Sequence, residues 1–267
     1  MERILMLRLE SIGCMAEAVL NGIPLGRTPK GGGVLALPVH EYTLSGANQF
    51  ALVIEPPPLA PGFEQSPPRP HLSDAGSSAS LHLLLRRVGL AVSHEEVRVL
   101  AEVEWFSPVA EVIEFPISVA LHAHLPVSFP RWRWADAPVI ASPDTMKPQV
   151  AAFLQGIALA LAQGQAEVFV AAARLRFEEL AQAYHRSPAD DLARFRAHVQ
   201  QTHGEEPIEP ELPSAQNILL RPCADGRMLD CLGLDGLPAL RNAATSARRK
   251  MWPVRVATID GRLYVLR

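Results

Sequence analysis

Cysteine is scarce in this sequence, and so are aromatic residues. Its 267 residues include 3 cysteines, Cys14, Cys223 and Cys231, with no C-x-x-C spacing. That excludes a disulfide framework or a zinc knuckle and fits a reduced compartment. Aromatics make up only 6% of the chain, so its cores must be built from Ala, Val and Leu. Charge of one sign is also lacking: 25 basic residues against 28 acidic ones give a formal net charge of -3. No overall field draws the chain to a phosphate backbone or an anionic membrane, so neither nucleic acid nor membrane is an expected partner. The apolar run Ile4 to Leu7 is too short for a secretory signal. The helical apolar stretch is interrupted by Gln155 and Gln163, short of the about 20 residues a bilayer needs. A cytoplasmic location is the expectation, and the Ala, Arg, Pro and Leu bias points to a bacterial genome. No G-x-S-x-G, H-E-x-x-H, phosphate-loop or dinucleotide fingerprint occurs. No catalytic residue and no cofactor is therefore expected.

Turn punctuation, by contrast, is abundant. Asn21-Gly22 suits a type I′ turn between 14–20 and 23–27. Gly46 and Asn48 supply a tight return between 34–43 and 49–55. Further β-like runs cover 80–91, 96–106 and 116–126, with Val97, Val99, Ala101, Val103 and Trp105 placed by alternation on one face. The stretch 56–70, with seven prolines, reads as an irregular surface excursion. Near residue 140 the period changes. Residues 148–162, the stripe Val170, Ala173, Phe177, Leu180 and Tyr184, and a segment capped by Ser187-Pro188 predict three helices. After residue 215 the period drops to two, with turns at Ala224-Asp225-Gly226, Asp235-Gly236 and Asp260-Gly261. The expectation is two domains: an all-β antiparallel sandwich over 1–140, then an α+β domain over 141–267, helices first and a curved antiparallel sheet last.

The segment VLNGIPLGRTPKGGGVLALPVHEYTLSGANQFALVIE, residues 19–55, resembles galactose-binding-like jelly-roll domains, where an Asn-Gly strand end leads to a Gly-x-Asn turn. The resemblance implies a fold; in that family these residues shape loops, so no binding residue is carried over. The second half, through its element order and its closing strand from Asp260 to Arg267, resembles the NTF2-like (cystatin-like) fold. That resemblance implies an open cone that holds acid/base residues in some members and no catalysis in many others.

Few residues are candidates for chemistry. On a strand, His122 and His124 would present both imidazoles about 7 Å apart on one face, a weak zinc pair without a visible third ligand. His40, His82 and His94 lie in the same half with nothing to order them. Arg131-Trp132-Arg133-Trp134, if extended, would show both indoles on one side. Trp132 and Trp134 could then stack on a sugar, or seal packing beside the domain boundary. His185 reads as a cap for helix carbonyls. The functional expectation is a non-catalytic binding or protein-interaction module that engages another protein or itself. The alternatives are a small-molecule or enzymatic site in the C-terminal cone, and a carbohydrate-binding protein.

Overall fold

A computed structural model describes residues 3–55, 71–72, 76–87, 97–108, 112–205, 209–243 and 250–267. The chain forms two compact units, Met1–Pro130 and Arg131–Arg267, so the boundary falls at Pro130/Arg131 and not at 140/141. The proline-rich stretch and His94 lie outside the described residues.

Unit one contains β1 (Arg3–Ile12), β2 (Met15–Leu20), β3 (Ile23–Arg27), β4 (Gly32–Pro38), a 3-10 turn (His40–Tyr42), β5 (Gly46–Glu55), β6 (His71–Leu72), β7 (Ser78–Arg87), β8 (Arg98–Phe106), β9 (Val112–Ile113) and β10 (Ile117–Leu125). Two four-stranded sheets, β4-β1-β7-β8 and β10-β5-β2-β3, are antiparallel throughout. Each buries one face in a shared core. Leu5, Leu7, Leu9, Leu81 and Leu83 come from the first sheet, and Ala16, Ala18, Leu20, Phe50, Leu52 and Ile54 from the second. Each buried leucine is worth about 1.5–3 kcal/mol relative to exposure. The central strand β1 was not among the expected strands, although its alternation is clean.

Asn21 and Gly22 both have positive φ, 52° and 71°, and Leu20 pairs with Ile23 across the expected two-residue turn. Asn21 does more than turn the chain. Its side-chain amide donates to Tyr42 O and to Asn48 Oδ1, each at 2.8 Å, while its Oδ1 accepts from Gln49 N at 2.9 Å. Asn48 in turn accepts from Leu44 N and donates to Leu44 O and Gly46 O. The two turn motifs are thus clasped to each other.

Unit two begins with α1 (Arg133–Asp136), α2 (Pro143–Ala162), α3 (Glu167–Ala172), α4 (Arg174–Ala183) and α5 (Pro188–Glu205). β11 (Pro210–Glu211), β12 (Ile218–Cys223), β13 (Met228–Gly233), β14 (Leu240–Asn242), β15 (Met251–Trp252), β16 (Arg255–Ile259) and β17 (Arg262–Val265) follow. The α2 helix starts earlier than residue 148 because Ser142-Pro143 repeats the start signal of Ser187-Pro188. The expected second helix is two, separated at Ala173, whose ψ of 14° departs from the helical value. Ser187 Oγ accepts from Asp190 N at 3.3 Å, as an N-cap should. His185 ends α4 through its backbone, not its ring. It has φ 50°, and Arg186 N reaches back to Ala181 O, the six-to-one bond of a left-handed helix end.

The sheets are β12-β13-β16-β17 and β11-β14-β15. Val150, Leu154, Ile157 and Leu161 of α2 pack with Ile218, Leu220, Leu229 and Val256, so a helical layer covers the larger sheet. Asp260-Gly261 turns β16 into β17 as expected. Asp235-Gly236 instead leads away into the smaller sheet, where β14 pairs with β11 and β15. Among the described residues no helix is long and apolar enough to cross a membrane.

Candidate functional site on the outer face of the first sheet

The alternation that buries Leu5, Leu7 and Leu9 turns Met6, Arg8 and Glu10 outward. Register then fixes their neighbours. Arg8 lies between Ala36 and His82, and His82 lies opposite Glu102. One row along, Glu10 lies between Val34 and Ser80, and Ser80 lies opposite Glu104. An open groove of about 540 Å³ runs over this face, lined in part by Met6, Arg8, Val34, His82, Leu84 and Val99.

A bulge supplies one wall of the groove. Leu83 pairs with Ala101 but Leu84 with Val99, so Leu100 is an extra residue in β8. The five residues 97, 99, 101, 103 and 105 therefore do not share a face. Ala101 and Val103 are in the core, while Val97 and Val99 line the groove. Apolar side chains stand in the open on this sheet: Val34 is 62% exposed and Val99 50%, with Ile12 and Phe106 exposed at its margin.

The polar groups between them form two sets. Arg8 is ion-paired with Glu10. His82 Nε2 lies 2.9 Å from Glu102 Oε1, and Glu104 completes a trio whose ligand atoms all fall within 4.8 Å of one another. This trio is the metal-competent group among the described residues. Sequence reading missed it because His82 was one histidine among several; only the β7–β8 register brings the carboxylates to it. His122 and His124 are exposed on β10 of the other sheet, as a solvated strand face would have them, and no third ligand joins them among the described residues. His40 is used structurally: its Nε2 accepts from Leu5 N at 2.9 Å.

Trp132 and Trp134 are not a stacking platform. They are 0% and 3% exposed, because Arg133–Asp136 is a helical turn and not an extended strand. The Arg267 guanidinium lies over the Trp132 ring at 6.0 Å. The charged groups of unit two are likewise engaged with one another. Glu179 accepts from Arg133 N and from Arg267 Nη1, both at 2.6 Å. Arg221 Nη2 reaches Asp230 at 2.7 Å. Arg241 forks onto both oxygens of Glu211 and both of Asp235, and this bonding holds its pKa above the ordinary arginine value. Burial pushes the Cys223 thiol up to about 12 and raises Cys231 further. Since the thiolate is the nucleophile, neither thiol is poised for covalent chemistry.

Comparison with protein-family models, curated proteins and solved structures finds no match. The functional reading therefore rests on the site itself.

Proposed function

We propose that the chain is a non-catalytic binding module whose first unit engages another protein, or a second copy of itself, through the outer face of the β4-β1-β7-β8 sheet. The observation that carries this reading is the groove, where exposed Val34 and Val99 flank the Arg8–Glu10 pair. Exposed apolar side chains interspersed with charge are the composition of a protein-binding surface, the apolar groups supplying affinity and the charged pair orientation. Two antiparallel sheets around one core support the galactose-binding-like reading of this unit. Free, buried cysteines are consistent with the cytoplasmic, reduced setting that forms part of the proposal.

The alternative places a small-molecule or catalytic site in an NTF2-like second unit. Its element order, helices followed by an antiparallel sheet, favours that family. Against a site there, the helix-to-sheet interior is filled by Val150, Leu154, Ile157, Leu220 and Val256, and the Arg267 and Arg221 guanidiniums are ion-paired to Glu179 and Asp230. A carbohydrate-binding reading loses its candidate rings with the burial of Trp132 and Trp134.

The test is affinity capture from the native cell with light scattering on the purified chain, repeated with Val34→Asp and Val99→Asp. Capture of a partner or self-association that both substitutions abolish is the expected outcome. A strict monomer that retains no protein but carries a bound metabolite would overturn the proposal.

A further inference from the structure

The geometry points to a divalent-cation site of zinc type on the outer face of the first sheet, with His82, Glu102 and Glu104 as its three protein ligands. Neighbouring strands hold all three: His82 stands opposite Glu102, and Glu104 is the next outward position along β8. Backbone pairing therefore fixes their relative positions before any ion arrives, which reduces the ordering cost of binding. Their ligand atoms lie within 4.8 Å of one another, whereas donors around a tetrahedral zinc at ~2.0–2.2 Å from the metal sit roughly 3.4 Å apart. A rotamer change in the two exposed glutamates closes that gap.

Electrostatics favours a cation here. Glu102 and Glu104 place two carboxylates on one side of an edge strand, and Arg8, the cation opposite His82 on β1, is drawn to Glu10. Among the described residues Glu104 has no hydrogen-bond or ion-pair partner. His82 already points Nε2 at this space, since that nitrogen contacts Glu102 Oε1 at 2.9 Å. When the ion binds, the imidazole proton resides on Nδ1 and the Nε2 lone pair serves the metal.

The donor set selects the ion. One imidazole nitrogen with two carboxylate oxygens suits zinc and its neighbours, whereas calcium takes six to eight oxygens and magnesium keeps an octahedral oxygen shell. Three protein ligands leave at least one coordination position open, and His82 also lines the groove. A bound ion would present that position to whatever occupies the groove, but its presence does not depend on a partner being found.

Zinc titration of the intact chain, read by calorimetry and by competition with a chromophoric chelator, tests the site. One zinc per chain is expected, with X-ray absorption reporting nitrogen and oxygen ligands and no sulfur. His82→Ala and Glu104→Gln should each weaken binding by about tenfold or more, with unfolding curves unchanged, while the double variant His122→Ala/His124→Ala should bind as the parent does. Absence of zinc binding by the parent chain, undiminished binding by His82→Ala, or loss of binding in the His122/His124 variant would each overturn the assignment. Failure of affinity capture would leave this result untouched, so the two proposals fail separately.

Discussion

Glu179 is the side chain on which the interior of the second unit most depends. One carboxylate oxygen takes the amide of Arg133 and the other takes Arg267, whose side chain is 1% exposed. Glu179→Ala would leave that guanidinium buried without its carboxylate partner, a change that costs about 3–5 kcal/mol. Urea unfolding should show a loss of this size, while Glu178→Ala, which removes only exposed contacts to Arg133 and Arg174, should leave the midpoint nearly unmoved. Such residues are hard to read from sequence. Nothing local to Trp132 or Trp134 announces burial, because the group that fixes the turn between them lies in α4. The same reason hid His82, whose meaning comes from residues on the next strand. Asn21 was half legible: its turn follows from the Asn-Gly dipeptide, but its clasp to Asn48 does not.

At the scale of elements, what could be read was whatever carried its own punctuation. Asn21-Gly22, Asp260-Gly261 and the Ser187-Pro188 start mark their elements because the backbone conformation is dictated by the residues themselves. β1 alternates cleanly, yet its identity as a strand is completed by β4 and β7. The Leu100 bulge has no composition signal at all, so the outward turn of Val97 and Val99 could not be foreseen. The α5 cap offers a direct check of the legible part. Ser187→Ala should lower the thermal stability of the second unit by about 1 kcal/mol, with Ser187→Asp retaining most of it. Equal losses from both substitutions would mean that the hydroxyl does not cap the helix.

For the whole molecule, the two-part division was legible in the change of period, but its position was not. The boundary lies earlier because the buried residues Trp132, Trp134 and Ala137 go with the second unit, where Arg267 lies over Trp132 and Arg227 donates to Ala137 O. A chain beginning at residue 131 should therefore give a cooperative thermal transition and near-ultraviolet circular dichroism from ordered indoles. One beginning at residue 141 lacks both rings, and removing even one large buried aromatic costs about 3–5 kcal/mol. That chain should unfold at markedly lower temperature or fail to fold. Equal stability of the two would place the boundary back near residue 140.

The central place of β1 also bears on how the chain is made. Its neighbours are β4 and β7, and Arg3 must wait for Arg87 to complete the ladder. At ~5–20 residues per second, translation of the stretch from the end of β4 to the end of β7 holds that strand half-paired for roughly 2–10 s, with an edge open to whatever is near. During that interval Leu5, Leu7 and Leu9 lack the neighbours contributed by β7, so the emerging chain exposes apolar surface. Slowing elongation between β4 and β7 should then lower soluble yield, even though the finished protein is identical.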